Sequence, residues 1–296
     1  GSAVMTFERE VDHAAVRRTR LTADLRDALA RGEFALHYQA VVDVRRVRAD
    51  AAEALLRWEH PEFGTVSPAE FVPLLERSGM IVPVGLWALR RACEQLLEWQ
   101  AQGSTIASVA VNASVVQLSR SNFCEDALAV IGATGIEPHR VTIEVTESVL
   151  MDNPERCIAQ LEQLRHASVR IAIDDFGAGY SSLGYLRRLP VHVVKIDRSL
   201  LVDAISPTGR AILAAMVELA AQLGLDCIAE GVETLEQYKL LMDVGCPRLQ
   251  GYLFARPLPA ADAAAVAKRL GGRQEVFSES FFAGLDRHSG FATLGD

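Results

Sequence analysis

Short β-branched runs alternate with helical patterns along most of this chain, and about eight such runs fall within roughly 240 residues. That rhythm predicts an α/β fold, a TIM-type (β/α)8 barrel with one irregular, antiparallel strand near the start. Strands separated by helices pair in parallel through right-handed crossovers. The first two runs, 34–43 and 48–58, are joined by only a few residues. So short a link suits an antiparallel hairpin, because a parallel crossover needs a dozen residues or more.

The elements follow in order. Residues 4–31 contain no Gly or Pro, and Leu21, Leu25, Ala28 and Leu29 fall on one helical face. At least the second half therefore reads as an amphipathic helix. Strands are expected at FALHYQAVVD (34–43), RADAAEALLRW (48–58), SVAVNAS (108–114), VTIEVTE (141–147), VRIAIDDF (169–176), VHVVKID (191–197), DCIAEGV (226–232) and RLQGYLF (248–254). Helical patterns occupy 157–167, 209–224 and 235–245, with Gly224 and Gly245 where C-caps belong. Residues 1–20, opening on a Gly-Ser tag scar, read as a linker. Residues 21–270 read as the folded domain, and 271–296, where periodicity is lost, as a tail.

Composition excludes several function classes. Of 296 residues, 50% are hydrophobic and 23% charged, which suits a packed globular protein rather than a disordered one. A net charge of −8 rules out DNA binding by bulk basicity. Five widely spaced cysteines without a C-x-x-C argue against a disulfide framework and for a reducing, cytoplasmic setting. No apolar run approaches a membrane span, and no signal-peptide pattern opens the chain.

The informative residues stand at the C-terminal ends of the apolar runs: Glu53, Asn112, Glu144 with Glu147, Asp174 with Asp175, Lys195 with Asp197, Glu230 with Glu233, and Gln250. From Asn112 onward they recur one βα unit apart (112→144→174→195→230→250). In a barrel such positions converge on the rim that carries TIM-enzyme active sites. Any one carboxylate could be a helix cap or a surface ion pair. Five acids around a single Lys could not, because like charges so close repel unless cations neutralise them. With no His or Cys among them, the implied ion is hard and oxygen-seeking, Mg²⁺ or Mn²⁺ rather than zinc. The Asp174-Asp175 pair suits a two-metal site in which one carboxylate bridges, an arrangement fitted to in-line attack on a phosphodiester.

Other motifs carry less. Asp175-Phe176-Gly177 copies a kinase triplet but lacks its companion motifs. The stretch from Gly177 to Ser182 departs from a dinucleotide fingerprint and reads as a loop of small residues beside the acids. His60, before Pro61, reads as loop structure, and Trp58, Trp87 and Trp99 as core or rim packing.

Glu53-Ala54-Leu55-Leu56-Arg57-Trp58 resembles the signature of EAL domains, bacterial phosphodiesterases acting on cyclic di-GMP. Tyr38-Gln39, Val111-Asn112-Ala113-Ser114, Glu144 to Ser148, Asp174 to Leu183, Lys195 to Ser199, Glu230 to Thr234 and Gln250-Gly251-Tyr252 recur in family order. Together they span roughly residues 21–270.

The resemblance implies specific roles. Glu53, Asn112, Glu144 and Asp174 look like ligands of a first metal; Asp174 would bridge to a second, completed by Asp175 and Glu230. Glu230 resembles the general base for the attacking water, and Lys195 the lysine that orients water and offsets charge. Glu53 also counts among the catalytic set. Gln39, Arg57, Lys195 and Gln250 look like substrate contacts, with Arg57 suited to grip phosphate. Glu147 resembles the acid that tethers the loop 176–183. The implied reaction is hydrolysis of one phosphodiester of cyclic di-GMP to linear pGpG, with Mg²⁺ or Mn²⁺ as cofactor and Ca²⁺ as inhibitor. The alternative, a catalytically silent cyclic di-GMP receptor, is disfavoured because no acid of the family pattern is missing. Departures are mild: Ala40 replaces the usual Pro and Ala178 the usual Thr. The resemblance further implies a homodimer through this domain. Residues 4–20 resemble the connector after a GGDEF domain, so an upstream GGDEF or sensor domain is expected.

Overall fold

The computed structural model describes residues 16–120, 122–147, 154–177, 186 and 188–271. Expectations for residues 1–15, for 178–183 of the loop including Ala178, and for 272–296 of the tail lie outside these residues.

The strands are β1 (Phe34–Asp43), β2 (Arg48–His60), β3 (Gly64–Val66), β4 (Ser108–Asn112), β5 (Val141–Thr146), β6 (Arg170–Phe176), β7 (Val193–Ile196), β8 (Asp226–Ala229) and β9 (Arg248–Leu249). Eight of them close a ring in the order β1-β9-β8-β7-β6-β5-β4-β2, with β2 pairing back onto β1 and β3 attached outside the ring. β1 runs antiparallel to both of its ring neighbours, and the other ring pairs are parallel. The barrel and its irregular first strand are therefore as the sequence predicts. The hairpin link inverts β1, and the described crossovers from β2 to β4, β4 to β5, β5 to β6, β7 to β8 and β8 to β9 pass through helices. The last strands are shorter than their apolar runs, ending at Ile196, Ala229 and Leu249. The chain leaves the ladder there to build the rim, although Glu230 N still donates to Ile196 O and Gln250 N to Ala229 O.

The described helices include α1 (16–28), α2 (Pro68–Ser78), α3 (Ile81–Ala101), α4 (Val115–Leu118), α5 (Phe123–Thr134), α6 (Pro154–His166), α7 (Arg198–Asp203), α8 (Pro207–Gln222), α9 (Leu235–Asp243) and α10 (Ala260–Leu270). The longest, α3, lies outside the three helical patterns read above. It buries Ala88, Leu89, Ala92, Leu96 and Trp99 along one stripe. The main core fills the space between the strands and the helices that surround them.

A second cluster joins Leu21, Leu25 and Ala28 of α1 to Phe34, Trp58, Phe71 and Leu75. Leu21 and Leu25 are fully buried, and each burial is worth about 1.5–3 kcal/mol. Residue 20 falls inside α1, and Arg17 pairs with Glu70 and lies over the Phe63 ring. The described end of the expected linker is thus docked to the barrel.

His60 differs from the loop reading. It ends β2, is buried, and accepts at Nδ1 from the Glu62 and Phe63 N–H groups. Its other nitrogen, left with the proton, donates to Asp24 at 3.2 Å. Of the three tryptophans, Trp58 and Trp99 are core residues and Trp87 packs against the second cluster.

Candidate active site

Each strand of the ring, or the residue just past its end, contributes one polar side chain to a single layer at the C-terminal mouth of the barrel. Gln39 faces Glu53 across the β1–β2 pair. Glu53 pairs with Ala110, Asn112 with Glu144, Thr146 with Asp174, and Lys195 with Ile228. Side chains two residues apart share a face, so this register turns Glu53, Asn112, Glu144, Asp174 and Lys195 into the barrel. Glu230 and Gln250 follow one residue beyond β8 and β9.

Lys195 occupies the centre. Its Nζ lies 3.2 Å from Glu53 Oε2, 2.7 Å from Glu144 Oε2, 3.2 Å from Asp174 Oδ1 and 2.6 Å from Glu230 Oε1. Asn112 Nδ2 donates to Glu53 Oε1 at 2.7 Å, and Gln250 Nε2 donates to Glu53 Oε2 at 2.6 Å and to Gln39 Oε1 at 3.1 Å. Gln39 Nε2 is anchored on Ala255 O at 3.1 Å. Gln250 Oε1 is buried without a hydrogen-bond partner among the described residues, an acceptor left over in the wall of the site.

One ammonium cannot balance four carboxylates in so dry a place. Glu53, Glu144 and Lys195 are each at most 5% exposed. Burial would raise the Glu53 carboxyl, but Lys195, Gln250 and Asn112 more than offset it and hold Glu53 below the usual range. Glu144 is pushed well above that range by burial and by the neighbouring Glu53 charge. Burial, with Asp174 and Glu53 nearby, lifts Glu230 to about 8. Asp175 is also raised, by burial and by Asp174. Burial disfavours the Lys195 charge, yet the carboxylates around it, Glu144 foremost, raise its pKa well above the ordinary value.

Two groups of acids can each converge on one cation. Ligand atoms of Glu53, Glu144 and Asp174 lie within 4.8 Å of one another, as do those of Asp174, Asp175 and Glu230. Asp174 belongs to both. The donors are all oxygen, which fits a hard divalent cation. Adjacent strand residues normally point to opposite faces, so Asp174 and Asp175 need a local break. Asp175 supplies it, with φ of +55° and a register shift between Ile173 and Phe176 in the β6–β7 pairing.

The other acids have ordinary duties. Asp197 caps α7 by accepting from Ser199 N, and Glu233 pairs with Arg198 at 2.8 Å. Glu147 follows β5 at the mouth, partly buried; residues 178–183, which it is expected to tether, lie outside the described residues. Arg57 sits beyond the ring on β2, its guanidinium donating to Leu56 O. Half-buried, it has its pKa pushed down by desolvation. A cavity of about 340 Å³ opens beside it, walled by Leu36, Ala54, Leu55 and Val111, with Asn112 and Thr146 on its border. Its size is within the range of small-molecule sites.

Backbone features of the rim depend on Gly251. An added Cβ there would lie 2.1 Å from Val232 O. The loops after β8 and β9 are stitched together at this point by Val232 N to Gln250 O and Leu253 N to Val232 O. Tyr252, given no role from the sequence, stands exposed beside Gln250 with the Arg256 guanidinium 4.4 Å over its ring. An exposed aromatic at a polar rim is the signal that would have singled it out.

Comparison with known proteins places this geometry. The EAL domain family matches residues 22–257. The chain is 41% identical over 255 residues to the bifunctional diguanylate cyclase/cyclic di-GMP phosphodiesterase MucR of Pseudomonas aeruginosa, covering 86% of this chain and 37% of MucR. It is 39% identical over 256 residues to the cyclic di-GMP phosphodiesterase NbdA of the same organism, covering 86% and 33%. The chain thus spans about a third of these relatives. Among solved structures, a MucR phosphodiesterase in complex with c-di-GMP superposes with a TM-score of 0.78 at 42% identity, covering 82% of this chain and 99% of that one. The EAL enzyme Bd1971, with cAMP and cyclic di-GMP bound, gives 0.79 at 29% identity, covering 88% and 72%. With the signature strand, the ring of acids and the barrel all in register, the chain belongs to the EAL domain family.

Proposed function

We propose that this chain is a metal-dependent phosphodiesterase that hydrolyses one phosphodiester of cyclic di-GMP to linear pGpG. The observation that carries the reading is the pair of acid triads sharing Asp174, supported by the named activities of MucR and NbdA. The first cation would be held by Glu53, Asn112, Glu144 and Asp174, the second by Asp174, Asp175 and Glu230. Bound there, the ions would activate water and stabilise charge on phosphorus.

The chain's own residues do the rest. Glu230 takes the proton from the attacking water, whose oxygen bonds to phosphorus as the bond to the leaving sugar oxygen breaks, and that sugar oxygen takes up a proton from solvent to become the free hydroxyl of pGpG. Lys195 offsets the negative charge gathered at the site and orients the water. Glu53 is positioned for ligation by Asn112 and Gln250. Arg57 grips a phosphate, and Gln39 and Gln250 contact the dinucleotide; the free acceptor on Gln250 supports that assignment. The cavity beside Arg57 is of a size to admit part of the ligand. Glu147 tethers the loop that follows β6.

Mg²⁺ and Mn²⁺ fit the oxygen donors, and Ca²⁺ would bind without supporting turnover. Residues 21–270 form the catalytic unit. The protein would work in the cytoplasm as a homodimer through this domain, joined to an upstream GGDEF or sensor domain; MucR, named as both cyclase and phosphodiesterase, supports that arrangement. No helix among the described residues is long and apolar enough to cross a membrane. Chromatographic detection of pGpG from cyclic di-GMP, with and without Mg²⁺ or Mn²⁺, tests the proposal. Ligand binding without product under saturating Mn²⁺ would overturn it.

A further inference from the structure

The opposite, N-terminal mouth of the barrel opens into a cavity of about 750 Å³. Six arginines border it: Arg45, Arg46, Arg48, Arg140, Arg170 and Arg248. Such a concentration of guanidinium groups is unexpected in a chain of net charge −8. Among the described residues the carboxylates paired with them number four: Asp43, Asp50, Asp226 and Glu137. Among the described residues, positive charge is therefore left in excess at this mouth. Arg45 forms no ion pair among the described residues, and its side chain is exposed.

The local backbone is irregular in a way that gathers these groups. Asp50 is the extra residue of a bulge, where the β1–β2 register steps from Val41↔Ala51 to Val42↔Ala49. The bulge buries the Asp50 carboxylate, which draws in Arg248, with Arg48 3.7 Å and Arg46 3.9 Å away. In the connecting turn, Val47 is held at φ of +51°, a conformation that costs a β-branched residue about 1–2 kcal/mol. Asp43 Oδ1 accepts from the N–H groups of both Arg45 and Arg46, which fixes the turn at the lip of the cavity. Deeper in, Val41, Ala51, Val193 and Ile228 make an apolar wall, and Glu144 closes the inner end. An anionic group is thereby confined to the arginine lip.

We infer that the N-terminal mouth of the barrel is a second ligand site, built for a compact polyanion of the di- or triphosphate class. Forked guanidinium groups match phosphate oxygens in bidentate fashion and retain their charge at any physiological pH. The site is separate from the C-terminal mouth, so it stands or falls independently of the phosphodiesterase reading.

The test is calorimetric titration of the chain, stripped of divalent ions on chelating resin, with inorganic triphosphate and in a separate arm with a nucleoside triphosphate. Without metal the C-terminal mouth presents a ring of carboxyl groups already paired with Lys195, and the Arg57 variant reports any binding there. Saturable one-site binding is expected, weakened about tenfold or more by Arg45→Glu and by Arg140→Ala, and unchanged by Arg57→Ala at the other mouth. Equal affinity in the two arms identifies bare polyphosphate as the ligand; tighter nucleotide binding shows that the apolar wall takes the base. Heat no greater than that of sodium chloride at matched ionic strength, or binding lost in Arg57→Ala but retained in Arg45→Glu, overturns the inference. Circular dichroism of each variant verifies the fold.

Discussion

Asp174 and Asp175 are consecutive residues of one strand, yet a carboxylate oxygen of each lies within 4.8 Å of the other and of a carboxylate oxygen of Glu230. The left-handed backbone of Asp175 makes this possible, and Asp175 N donates to Asp174 Oδ1 at 3.0 Å. Strain of this kind costs about 1–3 kcal/mol and persists where function requires it. Replacing Asp175 by Gly should therefore stabilise the metal-free protein by about 1 kcal/mol while lowering turnover at least about 100-fold. Urea denaturation and a pGpG assay read the two effects. A less stable variant with intact turnover would contradict both.

Lys195 shields four carboxylates from one another. Lys195→Met leaves them uncompensated, and the metal-free protein should lose about 3–5 kcal/mol, the usual cost of breaking a buried charge network. Mn²⁺ should restore much of that loss, because the cation replaces the missing charge. Thermal unfolding with and without Mn²⁺ measures the rescue; equal destabilisation in both conditions would count against a metal in the ring.

Glu230→Gln keeps the shape of the side chain but removes the carboxylate proposed as the base. Turnover should fall about 10²- to 10⁴-fold, with cyclic di-GMP affinity changed far less. Single-turnover kinetics beside equilibrium binding separates the two, and a rate equal to the parent's would remove Glu230 from the proton transfer.

Metal uptake should depend on pH. Without metal, burial lifts the Glu230 carboxyl to about 8 and raises Glu144 as well, so the folded state holds protons that the unfolded chain releases near pH 4.5. Between those limits the folded state binds more protons, and metal-free stability must fall as pH rises, by up to about 1.4 kcal/mol per pH unit for each such group. Cations compete with the same protons. Mn²⁺ affinity should rise up to about tenfold per pH unit toward pH 8 for each proton displaced. Titration calorimetry in buffers of different ionisation enthalpy counts the protons released; none at pH 6.5 would exclude these carboxyls as ligands.

Ca²⁺ should occupy the acid triads and compete with Mg²⁺, yet produce no pGpG, since its longer bonds and looser geometry misplace the attacking water. A turnover assay in Ca²⁺ alone, beside Mg²⁺, decides this. Comparable rates in the two ions would rule out the two-cation geometry.

Much of this protein is legible along the chain. Alternating strand and helix patterns, the short link after residue 43, and one polar residue per βα unit determine the barrel, its inverted first strand and the membership of the ring, because these are local or periodic properties. The amphipathic face of α1 is readable for the same reason. What the chain could not disclose is non-local. Glu53 and Gln250 are 197 positions apart and Glu53 and Lys195 are 142 apart, and only barrel closure brings them to hydrogen-bonding distance. Periodicity also misleads where the backbone departs from it. Alternation would send Asp174 and Asp175 to opposite faces, and it carries the last three strands past their true ends. At those places backbone strain and rim hydrogen bonds, made among residues from different strands, override the local pattern. The identity of the acids is thus written in sequence, whereas their convergence on two points, and on one buried ammonium, exists only after the ring has closed.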